Sequence, residues 1–178
     1  TQMERIKSVS KAVWHLKQGK VLVFPTDTVY GLICLAENKK AVERIFKIKK
    51  RPKTKPLGVF VKDLKEVHKL AYISKPQEKF LNSKTTAVLK NKRVIFKHQE
   101  TIGIRIPNFP LLKKLLFKPL AQTSANISGK TALTKINEIV KEFENTKSLI
   151  VFDFGDLPKK KPSKVVDLSE GEERIIRP

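Results

Sequence analysis

VLVFPTDTVYGLICLA, residues 21–36, is the stretch on which the reading of this chain turns. Val21 to Phe24 is a short apolar run that reads as a buried strand. Pro25 cannot extend a hydrogen-bonded ladder. Thr26, Asp27, Thr28 and Tyr30 then follow within five residues, before Gly31 and a second apolar run. Four hydrogen-bonding side chains between two apolar runs have the form of a site hung on the end of a buried strand. Asp27 is the only acid in such a position.

Outward from this stretch, short apolar runs alternate with amphipathic segments. Val9, Ala12, Val13 and Leu16 recur at helical spacing and Gly19 follows as a stop signal, so residues 6–18 read as a helix. Asn38 can cap a second helix with the stripe Ala41, Val42, Ile45, Phe46 and Ile48, ended by Pro52. Leu57 to Val61 reads as a strand. Asp63 caps a short helix carrying Leu64, Val67 and Leu70, and Pro76 sits early in another that includes Phe80 and Leu81. Ala87 to Leu89, Val94 to Phe96 and Ile102 to Ile106 are β-rich runs divided by polar turns, and they read as antiparallel. Leu111, Leu112, Leu115 and Leu116 form one helical stripe, and Ile136, Ile139, Val140 and Phe143 form another, with a strand at Leu120 to Thr123 between them. Leu149 to Phe154, Val165 to Leu168 and Arg174 to Ile176 supply the last strands. Helices interleaved with crossover-type and hairpin-type strands predict an α/β fold, a single domain over residues 1–178 on a twisted, mixed parallel/antiparallel sheet.

Composition sets the limits. With 178 residues, 40% of them apolar, the chain is long enough for one complete core and short for two. No run approaches the roughly 18 uncharged apolar residues of a membrane span, and the first residues lack the apolar region of a signal peptide. A cytoplasmic protein with no membrane partner is expected. Cys34 stands alone, and with only His15, His68 and His98 no metal site is predicted. The 38 Lys and Arg outnumber 17 Asp and Glu, for a net charge of +21. Such a field attracts nucleotides, RNA or an acidic surface. Lysine spread over every segment is equally the mark of ordinary solvated helix faces.

Neither G-x-x-x-x-G-K-[ST] nor a strand-linked G-x-G-x-x-G is present, so a bound nucleotide has to be held by side-chain cations. Lys49-Lys50-Arg51-Pro52 at a helix end, Arg105 in GIRIP and Arg177 near the end of the sequence are the candidates. Arg105 interrupts an apolar strand, where a solvated face or a ligand is required. Arg51 can fork onto a phosphate or carboxylate as an ammonium cannot. Thr123 to Gly129, TSANISG, offers small hydrogen-bonding residues that build ligand loops as readily as caps and turns. No G-x-S-x-G elbow surrounds Ser124.

FPTDTVYGL, K-x-R at Lys49 and Arg51, KPLGVFV, GIRIP, TSANISG with S-x-N at Ser124 and Asn126, PSKVVDL and a closing IIRP follow one another between residues 10 and 178. In that order they closely resemble the YrdC family of threonylcarbamoyl-AMP synthases. The resemblance implies the family's twisted mixed sheet with a concave basic face, in its short form. It also implies a reaction in which L-threonine, bicarbonate or CO2, and ATP with Mg²⁺ give threonylcarbamoyl-adenylate and pyrophosphate. The adenylate is passed to downstream threonylcarbamoyl-transfer proteins that modify tRNA.

On this resemblance Thr26, Thr28, Tyr30, Arg51 and Ser163 belong to the threonine site. Lys49, Arg51, Arg105 and Arg177 hold the triphosphate, and Ser124 and Asn126 contact the phosphates. Lys49, Arg51, Ser124 and Asn126 form the catalytic set, with no metal bound by protein side chains alone. The chain departs from the family pattern at Asn82-Ser83-Lys84, where Pro-Gly-Pro is usual, at Phe60 in place of a frequent His, and at Lys164 in place of Thr. An alternative of another class is a non-catalytic protein of the same fold that binds double-stranded RNA or tRNA.

Overall fold

The computed structural model describes residues 3–96 and 99–178, so His98 lies outside the described residues. Strand β1 (Glu4–Ile6) precedes helix α1 (Val9–Lys17), which therefore begins later than the apolar spacing suggests. Ser8 sets that boundary, its hydroxyl accepting from the Lys11 backbone N–H. Gly19 ends the helix at a φ of +72°, where the amides of Gly19 and Lys20 close back on Leu16 and His15. The pivotal stretch forms β2 (Leu22–Phe24) and β3 (Gly31–Leu35), an antiparallel pair in which Phe24 lies opposite Gly31. Residues 25–30 are thus the connection of a hairpin buried at the sheet centre.

Helix α2 (Lys39–Lys49) starts at Asn38 as expected, the side-chain oxygen accepting from Ala41. It ends before Pro52, because Lys50 adopts a left-handed conformation (φ 51°) and turns Arg51 out of the helix. Next come β4 (Gly58–Phe60), α3 (Leu64–Leu70) capped by Asp63, β5 (Ala71–Tyr72) and a 3-10 turn at Lys75–Phe80 in place of the expected helix. Strands β6 (Thr85–Asn91) and β7 (Thr101–Arg105) form a hairpin. Val94–Phe96 is not a strand, contrary to its composition. The ladder closes at Lys90 opposite Thr101, and the amides of Lys92 and Arg93 both turn to the Leu70 carbonyl. Helix α4 (Pro110–Lys113) is a single turn, and further tight turns carry Leu115 and Leu116 into the core. β8 (Leu120–Ser124), α5 (Ile136–Glu142), β9 (Ile150–Phe152), β10 (Lys164–Asp167) and β11 (Arg174–Arg177) complete the order.

The strands form one sheet in the order β1-β9-β2-β3-β8-β4-β7-β6-β10-β11, with β5 paired to β6. The β1/β9, β9/β2, β4/β7 and β6/β10 pairs are parallel and the rest antiparallel, so the sheet is mixed as predicted. Side-chain alternation assigns the faces. Leu32, Cys34, Val59, Ala87, Ile104 and Ala121 pack with Ile45 of α2, Val67 of α3 and Ile139 of α5. Leu22, Phe24, Ile33, Phe60 and Leu120 face the other way, against Leu16 of α1 and Leu112, Leu115 and Leu116. Farther along that second face, β8, β4, β7, β6 and β10 line an open cleft. The link from β9 to β10, residues 153–163, passes seven strand intervals. At about 4.8 Å each, that is about 34 Å on a flat sheet and less on a curved one. Eleven residues reach about 36–40 Å, so the link has little slack as it meets the cleft at Pro162 and Ser163.

Candidate active site

The cleft has a volume of about 400 Å³. At one end stands the 25–30 connection, shaped from within. The Thr26 hydroxyl donates to the Val29 carbonyl at 2.6 Å and accepts from the Thr28 amide at 3.1 Å, and the two threonine hydroxyls lie 3.2 Å apart. Tyr30 donates to the Gly155 carbonyl at 2.6 Å and accepts from Phe154 at 3.3 Å, and burial pushes its pKa up to about 12. That phenol ties the connection to residues 154–155 and leaves no free donor for a ligand.

Arg105 rises from the end of β7 into the cleft and is almost fully buried. Its guanidinium meets Asp27 at 2.9 Å and Thr28 at 3.3 Å, and lies 4.8 Å above the Phe60 ring. Asp27 also accepts from the Asn108 amide at 2.9 Å. Burial lowers the Arg105 pKa and Asp27 opposes the shift. Phe60, one of the departures from the family pattern, therefore supplies an apolar face for a cation–π contact. The Arg105 Nε is buried without a hydrogen-bond partner among the described residues. Arg177, held by the β10/β11 pairing, donates to the Ser163 carbonyl, and the Ser163 hydroxyl lies 2.9 Å from that of Thr86.

The K-x-R residues divide. Arg51 lines the cleft, and its Nε and Nη2 clasp the carbonyls of Lys55 (3.0 Å) and Pro56 (2.9 Å). Lys49 is buried behind it. Its ammonium donates to the carbonyls of Ser124 (2.7 Å) and Asn126 (3.0 Å) and to Asn126 Oδ1 (3.1 Å). Burial, with the charge of Arg51 second, lowers its pKa to about 8. The S-x-N turn is thus built around a lysine, while the Ser124 hydroxyl donates to Asn126 Oδ1 at 2.6 Å. Ser124 is on the cleft wall, opposite Gly31 in the β3/β8 ladder.

Of the residues expected from sequence, Thr26, Thr28, Tyr30, Arg51, Arg105, Ser124, Ser163 and Arg177 line this one cleft. Lys49 and Asn126 stand directly behind its wall. Sequence reasoning missed the floor. Gly58 of β4 pairs with Gly103 of β7 on one side and with Gln122 of β8 on the other, and the three line the cleft. Glycine inside a strand signals a close approach of another group to the backbone, and Gly58 and Gly103 carried that signal.

A mixed sheet whose open face gathers hydroxyls and three guanidinium groups describes a site for a polar, anionic small molecule. The Sua5/YciO/YrdC family model, described as telomere recombination, matches residues 15–178, and the chain belongs to this family. A protein of Methanocaldococcus jannaschii, provisionally named a threonylcarbamoyl-AMP synthase, is 37% identical over 98% of this chain and 86% of its own length. The threonylcarbamoyl-AMP synthase of Pyrococcus abyssi is 33% identical over 98% of this chain, which spans 55% of that protein. The crystal structure of P. abyssi Sua5 complexed with L-threonine superposes with a TM-score of 0.87 at 28% identity, over all of this chain and 57% of that one. Escherichia coli YciO gives 0.84 at 26% identity, over 98% and 93%. No helix among the described residues is long and apolar enough to cross a membrane.

Proposed function

We propose that this protein is an L-threonylcarbamoyl-adenylate synthase, acting on L-threonine, bicarbonate or CO2, and ATP. The observation that carries the reading is the convergence of the Thr26/Thr28 hydroxyls, Arg51, Arg105, Arg177 and Ser124 on one cleft, in a chain that aligns along its whole length with a threonine-bound relative. Threonine presents an ammonium, a carboxylate and a hydroxyl, and the hydroxyls beside guanidinium groups offer partners for all three. The threonine amine joins the carbon of CO2, losing a proton. The resulting N-carboxylate attacks the α-phosphorus, the P–O bond to the β-phosphate breaks, and pyrophosphate leaves.

Such a displacement depends on alignment and charge neutralisation more than on a general base. The three guanidinium groups supply the charge. Lys49 fixes the S-x-N turn so that Ser124 faces the phosphates. Among the described residues no three His, Cys, Asp or Glu side chains gather into a metal site. Mg²⁺ fits as an ion carried on phosphate oxygens, with the Ser124 hydroxyl as a neighbouring oxygen donor, and it would neutralise phosphate charge. The RNA-binding alternative rests on the net charge of +21 alone.

Calorimetric titration tests the reading. Threonine should bind saturably in the presence of ATP and Mg²⁺, and serine, lacking a methyl group, about tenfold or more weakly. No binding of either amino acid would reject the threonine site.

A further inference from the structure

The link from β9 to β10 is held down at both ends and left free between them. Tyr30 fixes residues 154–155, and the N–H of buried Leu157 donates to the Thr134 carbonyl at 2.9 Å. At the far end the Ser163 carbonyl accepts from Arg177, and the Lys164 N–H donates to the Lys84 carbonyl at 2.8 Å. Between these anchors Pro158, Lys159, Lys160 and Lys161 are all exposed, and among the described residues their backbone groups make no hydrogen bond. Pro158 and Pro162 restrict the backbone at either side of the three lysines. With little slack in the link, the strap they form keeps its place.

That place is the border of the cleft. The strap runs from the 25–30 connection, where Lys160 Nζ donates to the Asp27 carbonyl at 3.4 Å, to Pro162 and Ser163 on the cleft wall. Several lysines elsewhere are answered by acids: Lys53 by Glu43, Lys69 by Glu66, Lys118 by Glu37, Lys130 by Glu142. The strap lysines have no acidic partner among the described residues. Asp27, whose carbonyl Lys160 reaches, has its carboxylate committed to Arg105 and to the Asn108 amide. Three uncompensated charges therefore stand at the mouth of a cleft whose own wall carries three guanidinium groups.

We infer that the strap is an electrostatic guide for the anionic substrate, with Lys159, Lys160 and Lys161 drawing the triphosphate to the mouth of the cleft and Arg51, Arg105 and Arg177 receiving it within. This deepens the synthase reading and rests on it. Charges of one sign beside a low-dielectric cleft raise the local concentration of the opposite ion. Because these ammonium groups are exposed at the rim, they act on the arrival of the ligand and little on its stay.

Stopped-flow binding of methylanthraniloyl-ATP with Mg²⁺ to the full chain tests this. Lys159→Gln, Lys160→Gln and Lys161→Gln together should slow association about tenfold at low salt. Dissociation should stay within about twofold of wild type. The difference should be large at about 0.01 M salt, where the screening length is about 30 Å, and vanish at about 1 M, where it is about 3 Å. The control is Lys39→Gln, Lys40→Gln and Lys65→Gln, the same change of charge at exposed positions of α2 and α3, which pack on the opposite face of the sheet. It should associate nearly as fast as wild type. A control slowed as much as the strap variant would assign the steering to the net charge of +21 as a whole and overturn the inference. So would a strap variant whose loss lies in dissociation, or one that keeps wild-type nucleotide kinetics and loses only affinity for duplex RNA. Each of these results leaves the synthase reading standing. A wild type that binds no nucleotide overturns both.

Discussion

Asp27→Asn isolates the charge at the centre of the site. The amide is nearly isosteric and retains an oxygen for the Asn108 N–H, so what is lost is the negative partner of a buried guanidinium. Arg105 and Asp27 side chains are 4% and 12% exposed and meet at 2.9 Å. Two estimates of the loss agree. Unit charges with centres about 4 Å apart interact by about 4 kcal/mol at an effective dielectric of 20. Breaking a buried pair from one side typically destabilises by about 3–5 kcal/mol. For a chain of this size each kcal/mol lowers the melting temperature by about 2–4 °C, so the variant should melt about 6–20 °C below wild type. Arg105→Met together with Asp27→Asn should recover much of that loss, because the stranded charge is gone. Pyrophosphate should raise the melting temperature of Asp27→Asn more than that of wild type, since an anion in the cleft then replaces the missing carboxylate. Differential scanning fluorimetry of the three proteins reads all of this. A fall under 2 °C for Asp27→Asn, with no larger response to pyrophosphate, would refute the view that Asp27 holds the charge of Arg105 in an otherwise uncompensated place.

Arg51→Ala and Arg51→Lys should both abolish turnover in a pyrophosphate-release assay, because an ammonium cannot clasp the Lys55 and Pro56 carbonyls and still present a fork to the cleft. The ammonium of Lys49 titrates near pH 8, and losing its proton leaves two donors for three oxygens, so a pH–rate profile should fall through that region. Stability should move the other way. An unfolded lysine stays protonated to about pH 10.4, so between pH 8 and there the unfolded state binds more protons and Lys49 contributes a rise in stability with pH, visible in melts of wild type against Lys49→Met. Lys50→Gly should raise stability by about 1 kcal/mol in denaturant titrations, since glycine adopts the left-handed conformation freely.

Much of the site was legible because it hangs on elements that announce themselves. The apolar run before Pro25 and the caps at Asn38 and Asp63 give strand and helix limits that the structure keeps. The elements misread are those settled by tertiary partners. Val94–Phe96 has strand composition, yet the Leu70 carbonyl takes the preceding amides and the β6/β7 ladder closes before it. Ile6 falls on the helical spacing of α1 but pairs with β9, a partner far away in sequence. Within the site, residue type identified which side chains could bind an anion, but not what they would bind first. Lys49 reads as a phosphate ligand until three backbone and side-chain oxygens are found around it. Tyr30 reads as a free hydroxyl until residues 154–155 arrive from the far side of β9.

The central claim is that one cleft joins threonine, a one-carbon acid and a nucleotide. Pyrophosphate release from ATP and Mg²⁺, measured with threonine and bicarbonate together, with each alone and with neither, tests it most directly. Turnover only in the complete mixture, lost in Ser124→Ala and Asn126→Ala, is the predicted result. Equal turnover when threonine or bicarbonate is left out, or turnover indifferent to both substitutions, would contradict it.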